Sequence, residues 1–485
     1  MKTLLTFTLL TWIGLYQIPA QDKQATKYAR TITAKDLKAR LSVLASDSLE
    51  GRDTGSKGQK IAANYIAQHF ESIGLSPVVS TAEGESFFQS FDLKKGTINQ
   101  VYLRKGEELK ENLQDFLYYS RSETFGEEYI ELLYLENLND TDLDLSGKHI
   151  VFRTEANDWQ KVIAKVKEKN PAGYLVINED AEEFDFMLKR FGAYFERPSI
   201  RSNFDNSGDQ ILMIDPSLLE WAFEKKLTAI SHGDEARIIF NADMLIEPLE
   251  TSNVLGYLKG SERPDELIII TSHYDHVGII NGEIHNGADD DGSGTTTVME
   301  IAEAFASAAA KGKGPKRSIL FMCVTGEEKG LLGSKYYTEN PIFPLEKTIT
   351  NLNIDMVGRV DPKYEELNNP NYIYIIGSDK LSQELHDLHE SVNEKTEKLA
   401  LDYTYNDEND PNRFYYRSDH YNFAKNNIPI IFYFNGTHAD YHKPTDTIEK
   451  IHFEKMQKIA RLVYYTAWEI ANREGTITAD KLEGK

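Results

Sequence analysis

The chain has 485 residues, 40% hydrophobic and 27% charged, which excludes a disordered or fibrous polymer and is too long for one ordinary core. Two domains, or one domain with a large insertion, are expected. A formal net charge of −23 argues against nucleic acid and anionic membrane surfaces as partners, and a single cysteine, Cys323, excludes an internal disulfide.

In chain order, "MKTLLTFTLLTWIGLYQIPAQDKQ" places one Lys before a short apolar run that ends at Pro19-Ala20. That pattern predicts a signal peptide over 1–20, cut after Ala20, and an exported protein in a periplasm or outside the cell. The run is short for a spanning helix, and no later segment reads as one. Residues 21–96 predict helices. Leu37, Leu41 and Leu44 share one face, and Ile61, Tyr65, Ile66, Phe70 and Ile73 another, with Gly74 as a stop. The glycine-rich "LEGRDTGSKG" lies between them. Residues 97–248 change texture. "LSGKHIVFR" and "PAGYLVIN" read as strands around a helix in "DWQKVIAKVKEK", and the segment reads as a smaller, β-rich α+β domain inserted into the main one. From 249 to 475 apolar strands ("NVLGYLKG", "ELIIITSHYDH", "SILFMCVTGEE", "TITNLNIDMVG", "NYIYIIGS", "IPIIFYFNG") alternate with helices near 294–310, 331–338, 380–395 and 452–473. This alternation predicts an α/β fold whose largely parallel sheet is covered on both faces. Residues 476–485 read as a flexible tail. Cys323 reads as a small buried apolar residue.

Open α/β sheets bind ligands beyond the carboxyl ends of their strands. There the sequence places His273 and Asp275, then Glu327 and Glu328, then Asp355, then Tyr441 and His442, with "GADDDGSGT" in the loop after the first strand. Each is weak evidence alone, and their recurrence strand after strand is what matters. Carboxylates with imidazoles suit zinc or a similar divalent ion. Two adjacent ions need one carboxylate that touches both and a nearby base. A bridging aspartate must be aimed by a sharply bent backbone, which flanking glycines permit, and two cations would offset the clustered negative charge. In "GEE", one glutamate is free to bind metal while the other takes a proton. Asp275, two residues after His273, is placed to orient its ring.

"SHYDHVG", "GADDDGSGT", "TGEEKGLLGS", "NIDMVGR" and "DYHKPTDT", in this order, resemble the M28 family of zinc aminopeptidases. The core resemblance spans 253–473. "LEGRDTGSKGQKIAANYI" resembles that family's helical lead-in, and 97–248 more loosely an inserted protease-associated domain. The resemblance implies a zinc exopeptidase-like fold and two Zn²⁺ per chain. His273 and Asp355 would hold one ion, Glu328 and His442 the other, and Asp290 would bridge them through a cis Asp290–Asp291 peptide. Glu327 would be the general base, and Tyr441 would donate a hydrogen bond to the reacting carbonyl. Asp289 and Asp291 would be turn or supporting residues. The resemblance gives His276, His285, His420 and His438 no ligand role. Arg417, Ser418 and His420, in "RSDHYNFA", are candidate substrate contacts, against the plainer reading of a helix start.

The expected function is therefore a secreted two-zinc aminopeptidase acting on peptides. A carboxypeptidase or dipeptidase on the same site stays open through Arg359 and Arg417. A transferase resembling glutaminyl cyclases, or a non-catalytic binding protein, is disfavoured by the complete ligand set.

Overall fold

The computed structural model describes residues 22–121, 124–136, 143–153, 159–204 and 209–482. The segment read as a signal peptide lies outside them. Among the described residues no helix is long and apolar enough to cross a membrane.

The main sheet runs through parallel neighbours Ile430–Phe434, Thr348–Ile354, Arg263–His273 and Arg317–Val324. Tyr372–Ile376 pairs antiparallel on one side, and Glu235–Leu258 on the other. Side chains alternate across a strand, so one apolar run feeds two cores. Ile268 and Ile270 pack with Leu37, Leu41, Val298, Phe305, Ile459 and Val463 from the helices Ala34–Leu44, Gly294–Ala309 and Phe453–Asn472. Leu267 and Ile269 face the opposite way, toward Tyr337 and Phe423. Cys323 is buried in the first of these cores, and burial pushes its thiol up to about 12.

The lead-in helix Lys57–Ser72 starts where the Ser56 side chain accepts the Gln59 N–H at 3.1 Å. It ends at Gly74, whose φ of +83° lets the Leu75 N–H reach the Phe70 carbonyl at 3.0 Å. Its buried stripe is Ala62, Ala63, Ile66, Ala67 and Phe70, while Ile61, expected on that face, is exposed. The alanines leave room for close approach.

Two long strands, Phe88–Lys105 and Glu235–Leu258, pair antiparallel from Phe88 and Val254 to Arg104 and Ile239. They carry the same hydrogen-bonded sheet into an additional small sheet domain. There Phe125–Leu135, His149–Arg153, Gly173–Ile177 and Gln210–Ile214 continue it, with parallel pairing between the last four in turn. That domain has its own core around Leu132, Val151, Leu175, Leu212 and Phe240. Residues 476–482, expected as a loose tail, are tied down. Ile477 is buried, and Asp480 accepts the Gln383 N–H at 2.9 Å at the start of the helix Gln383–Lys395.

Candidate metal centre

The parallel strands all end on one edge, and their next residues converge there. Arg263–His273 delivers His273, Arg317–Val324 is followed by Glu327 and Glu328, Thr348–Ile354 by Asp355, and Ile430–Phe434 by the loop carrying Tyr441 and His442. Two groups of donors result, His273 with Glu327 and Asp355, and His276 with Asp290 and Glu328. Asp290 lies between them. Its Oδ1 is 3.4 Å from His273 Nε2, and its Oδ2 is 3.0 Å from His442 Nε2. His273 Nε2 lies 3.6 Å from Asp355 Oδ1, and His442 Nε2 lies 3.2 Å from Glu328 Oε2.

The triple aspartate divides its labour. Asp291 accepts the N–H groups of Gly294 (2.8 Å), Met356 (3.0 Å) and His273 (3.2 Å). Asp289 accepts the Gly358 N–H (2.6 Å) and the Ser293 hydroxyl (3.0 Å), and lies 3.2 Å from His438 Nε2. The outer pair thus locks the loop to its neighbours, and the middle residue is left aimed at the histidines. The Asp290–Asp291 peptide bond is cis.

Several supports were not legible as such in the sequence. Asp446 Oδ2 accepts the N–H groups of both Asp289 (3.0 Å) and Asp290 (3.2 Å), and its carbonyl accepts the Ala288 N–H (3.2 Å). Arg52, buried, donates to the carbonyls of Tyr274 (2.8 Å), Asn286 (2.7 Å) and Gly287 (3.0 Å). Thr54 donates to Asp275 Oδ2 at 2.8 Å. The signals were the "TDT" of "DYHKPTDT" and the "GRDT" of the lead-in. Asp275 meets His273 chiefly through its backbone carbonyl, 3.1 Å from Nδ1, with its carboxylate at 3.7 Å, and its Oδ1 accepts the Glu327 N–H at 3.3 Å.

His276 is a further departure. Given no ligand role from sequence, it is fully buried with Nδ1 at 2.9 Å from Glu328 Oε1. His285 Nδ1 lies 3.1 Å from the His442 carbonyl, so it braces the chain there.

Substrate candidates separate. Arg417 lines a small cavity with Asp290, Glu327, Asp355, Phe414, Phe434 and Tyr441, its guanidinium 4.9 Å from the Phe414 ring centre. Ser418 donates instead to Asp355 Oδ2 at 2.7 Å. His420 is turned away from the cavity, buried against Phe432, with Nε2 2.8 Å from the Tyr415 carbonyl. The short helix His420–Ala424 that follows fixes this orientation. Arg359 is held by Asp440 at 2.8 Å, which leaves Arg417 as the cation of that pair at the cavity. A larger cavity, of about 760 Å³, lies far from the clusters beside Gln383–Lys395 and Trp468.

The electrostatics mark a place for positive charge. Burial works against a charged His442, yet Glu328 and Asp290 outweigh it and push its pKa up to about 11. Burial raises Glu327 well above the usual carboxylate range, and Asp355 and Glu328 add to this. Asp290 Oδ2, Glu328 Oε1 and both His276 nitrogens are buried and crowd one another at distances down to 2.9 Å without a well-angled hydrogen bond. Buried orphan acceptors of this kind are costly unless a cation meets them, so the donor set fits a bound metal. Two carboxylates and one imidazole in each group are ligand types that zinc takes.

A largely parallel sheet with acid–imidazole clusters beyond its strand ends is the zinc exopeptidase architecture. The aminopeptidase from Aneurinibacillus sp. strain AM-1 superposes with a TM-score of 0.62 at 21% identity, over 94% of this chain and 98% of that one. BSAP, a zinc aminopeptidase from Bacillus subtilis, does so with a TM-score of 0.54 at 19% identity, over 91% and 96%. In sequence, 118 residues are 40% identical to a probable zinc metalloprotease of Pyrenophora tritici-repentis (strain Pt-1C-BFP), 23% of each chain. Aminopeptidase YwaD of Bacillus subtilis (strain 168) is 28% identical over 233 residues, 46% of each. The alignments thus span about a quarter to a half of these curated relatives' length. Residues 253–467 match the family model of Peptidase family M28.

Proposed function

We propose that the protein is an exported aminopeptidase that uses two zinc ions, with the additional sheet domain acting as a protease-associated module. The observation that carries this reading is Asp290, buried with one carboxylate oxygen facing His273 and the other facing His442. His273 and Asp355 would hold one ion, Glu328 and His442 the other, and Asp290 would bridge them, with His276 backing Glu328. Bound zinc supplies a water acidified toward neutrality and positive charge for the developing oxyanion.

The chain's own groups do the rest. Glu327, fixed through its backbone by Asp275, takes the proton of the attacking water on its carboxylate and returns it to the leaving amine nitrogen. Tyr441 stacks on His442 at 3.9 Å between ring centres, and burial raises its hydroxyl pKa, so it stays a neutral donor to the carbonyl oxygen. Ser418 keeps Asp355 in place from behind. Phe414, Phe432, Phe434 and Met356 give the small cavity beside the clusters, about 30 Å³ in volume, an apolar rim.

The test is metal content with hydrolysis of aminoacyl anilides, for wild type and Glu327→Gln. Two zinc per chain in both proteins, with kcat about 10²–10⁴-fold lower in the variant, is the expected result. One zinc or none refutes the ligand assignment. Cleavage of N-acetylated peptides in place of free-amine ones refutes the aminopeptidase polarity.

A further inference from the structure

A second cavity, of about 390 Å³, reaches the clusters at Glu328 and His442, whereas the aromatic one reaches them at Asp290, Glu327 and Asp355. Its peptidase-side wall includes Glu328, His442 and Lys329, and its other wall is Arg121, Arg197 and Arg201 from the additional sheet domain. Four cations line one space on a chain whose net charge is −23. One carboxylate, Asp53, serves two of them, at 2.7 Å from Lys329 Nζ and 3.5 Å from Arg197 Nη2.

These side chains are held in place. Arg197 is fixed across the domain junction by the Val277 carbonyl. Arg201 is fixed by the Ser120 carbonyl and by Ser199 Oγ at 3.1 Å. Arg121 donates to the carbonyls of Phe195 (3.0 Å) and Arg197 (2.6 Å) and so braces the loop. The side chains of Arg197 and Lys329 are 19% and 13% exposed. A guanidinium has five donors in a rigid fork that matches a carboxylate, and the bonds to Val277 and Asp53 occupy only part of the Arg197 set. Four cations outnumber the two carboxylates beside them, Asp53 and Glu328, and burial makes that excess costly unless a further anion joins them.

Resting on the aminopeptidase reading, we propose that this cavity binds a carboxylate on the leaving portion of the substrate. The enzyme is then selective for short peptides whose C-terminal carboxylate, or an acidic side chain just after the scissile bond, reaches Arg197 and Arg201. The two cavities touch different residues of the clusters. A peptide bond held at the clusters would direct its leaving residue toward the cationic cavity at Glu328 and His442. The volume falls within the range of small-ligand sites, about 300–1,000 Å³.

The experiment compares Leu-Gly with Leu-Gly-amide, and Leu-Asp-amide with Leu-Asn-amide, on the zinc-loaded full chain. Wild type should favour the carboxylate-bearing member of one pair at least tenfold in kcat/KM, mainly through KM. Preference in the first pair assigns the cavity to the terminal carboxylate, and preference in the second to an acidic side chain. In Arg197→Gln and Arg201→Gln that ratio should fall about tenfold. Taken on one preparation, the ratio cancels any general loss of active protein. Calorimetry of the same four peptides on Glu327→Gln reads the cavity without turnover. If wild type cleaves leucyl anilide but treats both pairs alike, the cavity assignment is overturned and the aminopeptidase reading stands. If no substrate is cleaved yet Glu327→Gln binds carboxylate peptides tenfold tighter, the reverse holds. Ratios unchanged in both arginine variants also overturn the assignment.

Discussion

Asp446→Ala isolates what holds the aspartate loop. In the native protein one carboxylate oxygen takes two consecutive N–H groups, those of Asp289 and Asp290, in a buried setting. Truncation leaves both donors without an acceptor, at about 1–3 kcal/mol each, so the loss should be about 2–6 kcal/mol. It also frees the backbone that aims Asp290, and groups that orient metal ligands typically change metal affinity by about 10–100-fold. Urea unfolding in excess chelator reads the first quantity, and zinc competition against a chromogenic chelator reads the second. Asp446→Asn keeps an acceptor oxygen at the same place and should recover most of both. A loss under about 1 kcal/mol in Asp446→Ala, with metal affinity within about threefold of wild type, would refute the argument. It would mean that Asp289 and Asp291 hold the loop without help.

Two further outcomes are expected. His276→Leu should weaken one of the two zinc ions by about 10–100-fold and spare the other, read by equilibrium dialysis at graded zinc; equal retention of both ions counts against a role beside Glu328. Burial lowers His69 to about 4, aided by Arg40, and lowers His389 and His420 to about 3. Folded pKa values below the unfolded value of 6.5 mean that the unfolded chain binds more protons, so stability is full above that value and is lost as pH falls toward 4. Three such groups give a slope of up to about 4 kcal/mol per pH unit, and His389→Phe should make the acid transition measurably shallower in denaturant titrations at pH 4.5.

What was legible in the sequence was what depends on period and order. Apolar runs ending in His273, Glu327 and Asp355 gave both the parallel sheet and the edge where its polar ends meet, because a strand's direction fixes where its last residue lies. Asp290 was singled out among the three aspartates by the family resemblance, while the glycines around it explained only why the loop could bend. What stayed hidden depends on contacts between distant segments. Nothing local in "GRDT" says that Arg52 will reach three carbonyls near 274–287, or that Thr54 will brace Asp275. His276 was set aside because the family pattern gives it no task, yet burial against Glu328 is a tertiary fact. Ser418 and His420 were grouped with Arg417 by adjacency, but a turn before a short helix sends three neighbours in three directions. The cationic cavity was invisible for the same reason, since its two walls come from residues as far apart in the chain as Arg121 and His442.

The long strand pair Phe88–Lys105 and Glu235–Leu258 has a mechanical meaning. Two domains joined by flexible loops can swing, whereas two domains that share a ladder of main-chain hydrogen bonds are joined by a stiff beam. Opening the cleft would require bending that beam, and the ladder's irregularity between Asp243 and Met244 is where it would flex. The arginines would then stand at a nearly constant span from His442, and on the proposed reading a substrate would be measured with a ruler rather than gripped in a jaw.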